Sequence, residues 1–355
     1  MQALDIFAGP SALKTIKKEG ITPQMFTAFL GASGGPKWFV LSGLDKVIFN
    51  EFLDHSEQHI DIIGSSVGAF RTACFAQNDP GAAISRLAER YSTTVYSPKP
   101  NAREITQKGV EVLRHMVNDD SVQEILSNPR KSVHIIAARC HGLVAKEPRL
   151  QQGSGLLLAA FRNMRGRQFL KKSFSRVIFQ TGTQPLSFVD EAEFSTEYAQ
   201  LTKDNLHMSL MASGSIPMVI EGVENIPGVA PGMFRDGGII DYHFDLKINT
   251  PGLVLYPHFY PTPVPGWFDK NIKSRQCHAT SYDNVVLLAP SAEFVAKLPY
   301  GKITDRDDFK KLTAEDRIKY WKTVISESDR LAESFFHQIQ SDNVAEFVQP
   351  IRLKR

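Results

Sequence analysis

Two short glycine-rich turns constrain this sequence most, because each joins an apolar, strand-like run to a helical pattern. The first turn follows residues 25–30 and leads into a helix that begins at about Pro36. The second follows residues 59–63 and leads into a helix over 69–76. Short apolar runs bounded by glycine turns and followed by helices are typical of parallel strands joined by crossover helices. This part of the chain therefore predicts one βαβα unit of an α/β fold.

The same alternation continues through most of the chain. Further candidate strands are 133–138, 177–179, 253–255 and 285–289, and helical patterns cover 81–91 and 105–117. From Thr313, a capping pattern with Asp316 precedes apolar residues at helical spacing, which predicts one long helix over the sheet. The proline-rich stretch 256–268 is predicted to be a loop, and its aromatic side chains are candidates for a lid or a lipid contact. We predict a single domain over residues 1–355.

Charge and cysteine content exclude several classes of function. Lys and Arg number 41 and Asp and Glu 38, so the net charge of +3 does not indicate a nucleic-acid partner. The three cysteines, Cys74, Cys140 and Cys277, have no C-x-x-C spacing, which favours neither a disulfide framework nor a zinc site. No secretion signal and no run of about 18 apolar residues is visible. We expect a cytoplasmic protein that uses no metal or organic cofactor.

The second glycine-rich turn has the G-x-S-x-G pattern of a nucleophile elbow, in the residues Gly64-Ser65-Ser66-Val67-Gly68. A strand that reverses directly into a helix needs unusual backbone angles and close packing, which glycines allow. Such a turn exposes the serine hydroxyl at the carboxyl edge of the sheet, where the helix N-terminus favours developing negative charge. The pattern therefore predicts Ser66 as a nucleophile, and a plain tight turn is the alternative.

The first glycine-rich turn contains the same pattern over residues 31–35, so the pattern alone does not choose between Ser33 and Ser66. Its continuation combines small residues with a lysine, and successive backbone N–H groups there can converge on an anion. This composition suits an oxyanion hole formed by Gly34, Gly35, Pro36 and Lys37. A Walker A nucleotide loop is disfavoured, because Pro36 replaces that motif's second glycine and Trp38 its Ser or Thr. The alternative is a turn that only packs the first helix on the sheet.

A serine nucleophile needs a base, and the strongest candidate is the aspartate of Asp236-Gly237-Gly238. Two glycines after the acid allow close approach to another segment of the chain. Because the ordinary pKa of aspartate is near 4, partial burial would have to raise it, whereas an inward-pointing Arg235 would lower it. Taken alone, Asp-Gly-Gly is also a common turn.

In combination, these segments resemble the patatin-like phospholipase family. That family carries a glycine-rich oxyanion loop, a G-x-S-x-G elbow and a downstream Asp-Gly-Gly, and all three occur here in that order. The loop resembles the family's G-G-G-x-[RK]-G, with Ser33 replacing the first glycine and Trp38 the last. Residues 212–217 resemble the small-residue and proline segment that precedes the family's Asp-Gly-Gly. The resemblance covers about residues 25–245.

The resemblance implies a three-layer α/β/α sandwich with a central, mainly parallel sheet, which residues 246–355 would complete or cover. It also implies a carboxylic ester hydrolase of phospholipase A or lysophospholipase type that acts on acyl lipids and requires neither calcium nor histidine. In such an enzyme Ser66 would attack the ester carbonyl and Asp236 would take its proton, while the N–H groups of Gly34 and Gly35 stabilise the oxyanion. Water activated by Asp236 would then hydrolyse the acyl-Ser66 intermediate.

A basic and apolar segment is a candidate for membrane contact, since no acidic residue occurs between Glu147 and Asp190. Its positive charges alternate with apolar residues, as in interfacial amphipathic helices. The cations are Arg149, Arg162, Arg165, Arg167, Lys171, Lys172 and Arg176. We expect peripheral contact with anionic lipid at the inner membrane surface, and we expect Trp38 to narrow or line the acyl pocket. The alternative is a solvated basic face on a helix packed into the domain.

Two other functions stay open from the sequence. An ordinary esterase would use a Ser–His–Asp triad, in which His243, His258 or His278 follows Asp236 in chain order. A non-catalytic lipid-binding or scaffold protein would retain the fold without the chemistry.

Overall fold

A computed structural model describes residues 2–353. The β-strands are β1 (Leu4–Ala8), β2 (Phe26–Gly31), β3 (Ile60–Ser65), β4 (Lys131–Cys140), β5 (Phe174–Gln180), β6 (Phe188–Asp190), β7 (Thr196–Gln200), β8 (Val223–Glu224), β9 (Met233–Asp236), β10 (Leu246–Ile248), β11 (Leu253–Pro257), β12 (Val285–Pro290) and β13 (Val348–Pro350). The α-helices are α1 (Pro10–Glu19), α2 (Ser42–Val47), α3 (Val67–Phe75), α4 (Pro80–Ser92), α5 (Ala102–Met116), α6 (Asp119–Ser127), α7 (Arg149–Arg165), α8 (Leu206–Gly214), α9 (Ala292–Lys297), α10 (Asp308–Lys311), α11 (Ala314–Glu327) and α12 (Asp329–Ile339). Each strand predicted from the sequence overlaps one of these strands.

The central sheet has the strand order β13-β1-β12-β11-β2-β3-β4-β5-β7, and β9 pairs with both β4 and β8. The neighbours from β12 to β4 are parallel, whereas β5 and β9 both run antiparallel to β4. Strands β2, β11 and β12 are buried throughout, as is expected where helices cover both faces of a parallel sheet. The predicted fold class, a mainly parallel sheet flanked by helices, is confirmed.

One edge of β4 is shared by two strands that run toward each other. Strand β3 is parallel to β4, and its last residue, Ser65, pairs with Ile136. Strand β9 is antiparallel to β4, and its last residue, Asp236, pairs with the next position, Ala137. The carboxyl ends of β3 and β9 therefore meet at adjacent positions along β4, which brings the two candidate catalytic segments together.

The predicted long helix after Thr313 is wrong in one respect, because it is divided into the two helices α11 and α12. Thr313 caps α11 as predicted, its side chain accepting a hydrogen bond from the backbone of Asp316. The division lies at Ser328, whose buried hydroxyl accepts a hydrogen bond from the Gly43 N–H and donates one to the Ile325 carbonyl. The hydrogen bond from Gly43 attaches this junction to α2.

The basic segment is not one continuous amphipathic helix. Helix α7 ends at Arg165, and after Gly166 a separate 3₁₀ turn spans Arg167–Lys172 before β5 begins. Gly166 adopts φ 160° and ψ 143°, which are not helical angles, and it separates the cations of α7 from those of the turn. The predicted loop 256–268 is also shorter than expected, since β11 runs through Pro257.

Candidate active site

Ser66 occupies a strained turn between β3 and α3. Its backbone has φ 57° and ψ −130°, a conformation rare for residues other than glycine and typical of a nucleophile elbow. A side chain at Gly68 would overlap the carbonyl oxygen of Gly31, and one at Gly64 would overlap that of Gly68. Gly68 is therefore required because the turn packs directly against the end of β2, and Gly64 because the backbone of the turn packs against itself.

The Ser66 hydroxyl donates a hydrogen bond of 2.8 Å to Oδ2 of Asp236. The other carboxylate oxygen, Oδ1, accepts a 2.7 Å hydrogen bond from the Gly238 N–H. Burial raises the pKa of Asp236 to about 6, although the Ser66 and Gly238 hydrogen bonds and the charge of Lys270 act in the opposite direction. A carboxylate with this pKa is a better proton acceptor than a solvated aspartate and is still mostly ionised at neutral pH. Arg235 does not oppose the shift, because it points away and pairs with Glu147.

The small-residue segment before Asp236 holds the backbones of both residues. The backbone N–H of Ser66 donates to Oγ of Ser213 over 2.9 Å, and that hydroxyl donates to the carbonyl of Ile136. The N–H of Asp236 donates to the carbonyl of Ser215 over 3.0 Å. Residues 212–217 thus hold the backbones of Ser66 and Asp236 next to the same segment.

The two glycines after Asp236 are needed for close packing. A Cβ atom at Gly237 would overlap the carbonyl oxygen of Ile136 on β4, and one at Gly238 would overlap the hydroxyl of Ser33. This matches the expectation that Asp-Gly-Gly allows close approach to another segment of the chain. The hydroxyl of Ser33 is itself bonded to Ser65 Oγ over 2.5 Å, in a position that is 1% exposed. The geometry therefore favours Ser66 over Ser33 as the nucleophile.

The oxyanion loop offers two backbone donors to the pocket. Within residues 2–353, the N–H groups of Gly34 and Gly35 have no hydrogen-bond partner, and both residues line the pocket beside Ser66. Gly35 has φ 56°, and a side chain at Gly34 would overlap the ring of Phe259. Both positions therefore require glycine.

Pro36 and Lys37 do not serve as oxyanion donors, which corrects the set predicted from the sequence. Pro36 has no N–H, and its carbonyl instead accepts a hydrogen bond from Thr304. The N–H of Lys37 points to the Gly34 carbonyl at 3.4 Å, and its ammonium pairs with Asp305. These two residues attach the loop to the C-terminal part of the chain.

The candidate triad histidines do not contact Ser66. His243 accepts a hydrogen bond at Nδ1 from the Val264 N–H, His258 bonds through Nδ1 to Tyr260, and His278 pairs with Asp245. None of the three lines the pocket that contains Ser66. Burial lowers the pKa of both His243 and His258, so both are neutral near pH 7. The geometry therefore favours a dyad of Ser66 and Asp236.

The pocket at the dyad is small and partly cationic. Its volume is about 120 Å³, below the 300–1,000 Å³ common for drug-sized ligands. Besides the dyad and the oxyanion loop it is lined by Ile216, Pro217, Tyr242 and Trp267, and also by Lys270 and Arg306. The last two were missed by the sequence reasoning. They are single charged residues in irregular segments, and no local pattern distinguishes them from other surface cations.

Several predicted lipid-contact residues are buried. Trp38 is 0% exposed and does not line the pocket, because its ring packs against Phe39 inside the core. Arg167 is 6% exposed and pairs with Asp269. Arg176, on β5, is also buried and forms an ion pair with Asp241. These side chains cannot reach lipid, whereas Arg162, Arg165, Lys171 and Lys172 remain partly or fully exposed.

The aromatic residues of 256–268 are mostly internal. Tyr256 and Phe259 are buried in the core, and Tyr260 is 38% exposed. Trp267 lines the pocket, so it is the aromatic residue of this stretch that faces the dyad. In the described part of the chain, no group of three or more His, Cys, Asp or Glu side chains is arranged to hold a metal ion. No helix within residues 2–353 is long and apolar enough to cross a membrane.

Comparisons with known proteins include a weak structural likeness. No protein-family model matches this chain, and no curated protein matches it in sequence. Among solved structures, VipD from Legionella pneumophila matches with a TM-score of 0.32 and 11% sequence identity, over 70% of this chain and 52% of the VipD chain. The chain therefore spans about half the length of the VipD chain that it resembles.

Proposed function

We propose that this protein is a serine acyl hydrolase that cleaves fatty-acyl esters of phospholipids or lysophospholipids through a Ser66–Asp236 dyad. The observation that carries the proposal is the 2.8 Å hydrogen bond from the Ser66 hydroxyl to a buried carboxylate at the tip of a strained turn. A nucleophile next to a base with a raised pKa, with unpaired backbone N–H groups beside both, is the arrangement that acyl transfer needs.

The reaction follows from these positions in two halves. Ser66 Oγ attacks the ester carbonyl while Asp236 Oδ2 takes the hydroxyl proton, and the N–H groups of Gly34 and Gly35 donate to the oxyanion. Collapse of the tetrahedral intermediate breaks the ester C–O bond, and Asp236 returns the proton to the leaving alcohol. A water then loses a proton to Asp236 and attacks acyl-Ser66. The second tetrahedral intermediate releases the fatty acid, and the proton returns to Ser66.

A fluorophosphonate probe tests the nucleophile directly. We expect stoichiometric labelling of Ser66, mapped by peptide mass spectrometry, and loss of both labelling and ester turnover in Ser66→Ala. Ser33→Ala is the matched control, because its hydroxyl belongs to the neighbouring Ser65 network. A folded protein that binds lipid but neither labels nor hydrolyses any acyl ester would instead be a non-catalytic lipid-binding protein.

The dyad is tested separately from the nucleophile. Asp236→Asn is expected to lower kcat by about 10³-fold, whereas Asn or Gln at His243, His258 or His278 is expected to leave labelling of Ser66 in place. A single histidine whose replacement abolishes turnover in a folded protein would favour the Ser–His–Asp esterase.

We also propose that α7 and the turn after it dock on anionic membranes. The exposed apolar side chains of this surface, which we call the α7 surface, are Leu150, Leu157, Leu158, Phe161, Met164 and Phe169. Leu150 is 87% exposed and Leu157 is 75% exposed. A contiguous apolar patch of this kind is unusual on a protein surface that contacts only water. The cations Arg162, Arg165, Lys171 and Lys172 are interleaved with them and complement anionic lipid.

Helix α7 is attached to a pocket-lining segment through its buried face. Asn163, which is 0% exposed, donates a 2.7 Å hydrogen bond to Asp269, and Asp269 follows the pocket residue Trp267 by two positions. The α7 surface is formed by the exposed side chains of the same helix, so it lies on a different face from this contact.

Vesicle binding tests this surface. Wild-type protein is expected to bind phosphatidylserine-containing vesicles more tightly than pure phosphatidylcholine vesicles, and added salt is expected to weaken that binding. Leu157→Ser with Met164→Ser is expected to abolish it, and Val95→Ser serves as a control because Val95 is exposed at a different site. Salt-insensitive binding that survives the double substitution would remove the proposal.

A further inference from the structure

Three cations converge on the pocket that holds the dyad. Lys37, Lys270 and Arg306 all line it, together with two carboxylates, Asp236 and Asp305. Lys37 is paired with Asp305, and Asp236 is occupied by the Ser66 hydroxyl and the Gly238 N–H. The pocket therefore contains more positive charge than its own carboxylates neutralise.

Two of these cations have no anionic partner. The ammonium of Lys270 lies over the ring of Tyr242, 3.8 Å from its centre, and makes no ion pair with a described residue. The guanidinium of Arg306 makes neither an ion pair nor a hydrogen bond within residues 2–353. Both residues are exposed at the pocket mouth, so both can reach an incoming ligand.

The lowered pKa of Lys270 also indicates that no anion within residues 2–353 neutralises the positive charge around it. The pKa of Lys270 is lowered to about 7. The larger cause is partial withdrawal of the ammonium from water, although much of the side chain is exposed, and the second cause is repulsion from Arg306. Asp236 acts in the opposite direction without cancelling the effect. An anion between Lys270 and Arg306 would remove this repulsion, and the guanidinium can bind two oxygens of one phosphate at once.

Building on the proposed hydrolase function, we propose that Lys270 and Arg306, assisted by Lys37, bind a phosphate monoester on the substrate close to the scissile ester. The preferred substrate class is then an acyl glycerol phosphate. A phosphate monoester carries about −1.5 to −2 charges at pH 7, which matches the unpaired cations. A phosphocholine headgroup would bring a further positive charge to them, and a neutral glyceride would leave them unpaired. The small pocket suits an ester and one compact anionic group.

Binding to an inactive variant tests the subsite without relying on turnover. In Ser66→Ala protein, calorimetry with decanoyl glycerol phosphate is expected to give at least about tenfold tighter binding than with decanoyl glycerol or decanoyl glycerophosphocholine. Adding Lys270→Met or Arg306→Gln is expected to weaken binding of the phosphate ester about five- to tenfold. Lys310→Gln is the matched control, since Lys310 is exposed nearby on α10 and does not line the pocket.

Kinetics on the same esters separate this proposal from the proposed function. In the wild type, kcat/KM for the phosphate ester is expected to exceed that for the neutral ester at least about tenfold, and Lys270→Met is expected to reduce this ratio. Turnover without any preference would overturn the subsite while the hydrolase stands. Selective binding without turnover or fluorophosphonate labelling would overturn the hydrolase and retain the subsite. Equal binding of inorganic phosphate and the lipid would identify a site for free phosphate and remove the substrate assignment.

Discussion

The guanidinium of Arg176 forms a two-pronged ion pair with the carboxylate of Asp241, with N–O distances of 2.6 and 2.9 Å, and both side chains are fully buried. A second carboxylate, from Asp190, lies 2.9 Å from the same guanidinium. The backbone carbonyl of Asp241 in turn accepts a 2.6 Å hydrogen bond from Ser65, the neighbour of Ser66. This buried cluster therefore supports the base of the nucleophile turn.

Arg176→Met is expected to destabilise the protein by about 3–5 kcal/mol, because it leaves two buried carboxylates without their counter-charge. Urea unfolding at pH 7 measures the loss. Arg103→Met, at an exposed position, is the control and should change the free energy of unfolding by less than about 0.5 kcal/mol. Equal stability of the two variants would show that the buried pair contributes no net stabilisation.

Ser213→Ala is expected to lower kcat/KM about tenfold, because the strained backbone of Ser66 loses the acceptor for its N–H. Ser209→Ala is the matched control, since Ser209 is buried on the same helix and, among residues 2–353, its hydroxyl bonds only to the helix carbonyl of Leu206. Rates of fluorophosphonate labelling and of ester turnover measure both variants. If the two substitutions lower these rates equally, Ser213 has only a packing role.

The pH dependence of turnover is expected to follow the ionisation of Asp236. The base must be deprotonated, and its pKa is raised to about 6, so kcat/KM should be half-maximal near pH 6 and reach a plateau above about pH 7. Below pH 6 it should fall about tenfold for each pH unit. A half-maximal rate near pH 4, the ordinary range of aspartate, would contradict the buried environment of the base.

Asp236→Asn is expected to stabilise the protein at neutral pH while it removes activity. The folded-state pKa lies above the unfolded one, so the native state binds more protons between about pH 4 and 6, and wild-type stability falls as the pH rises through that window. The stability gain of the variant should be near zero at about pH 4 and reach at most about 3 kcal/mol above pH 7. Thermal unfolding at several pH values measures it, and a gain that does not vary with pH would exclude this cause.

Gly68→Ala is expected to prevent correct folding or to cost more than about 3 kcal/mol, because a methyl group there overlaps the Gly31 carbonyl. Gly153→Ala is the matched control. Gly153 lies within α7 with nothing near its Cβ position, so alanine should stabilise the helix by about 0.5–1 kcal/mol. Circular dichroism during urea unfolding compares the two variants, and a Gly68→Ala protein of wild-type stability would contradict the close packing of the turn.

The sequence by itself predicted the strands β2, β3, β4, β5, β11 and β12 and the position of the glycine turn at Ser66. Both are local properties, because apolar runs and glycine spacing act on the backbone within a few residues. It also indicated the small-residue segment before Asp236, whose contacts with Ser66 became visible only in the fold. The oxyanion set was predicted too broadly, since Pro36 and Lys37 belong to the loop without donating to the pocket.

Only the tertiary structure decided which distant residues meet. Ser66 and Asp236 are 170 residues apart, and they become neighbours because β3 and β9 run toward each other along one edge of β4. Burial of Trp38 and Arg167 and the approach of Lys270 to Arg306 depend in the same way on how separate segments pack. The charge or apolarity of a side chain is known from the residue type alone. Its exposure and its contact partners depend on the packing of the whole folded chain, so no local pattern could predict the exposure or the partners.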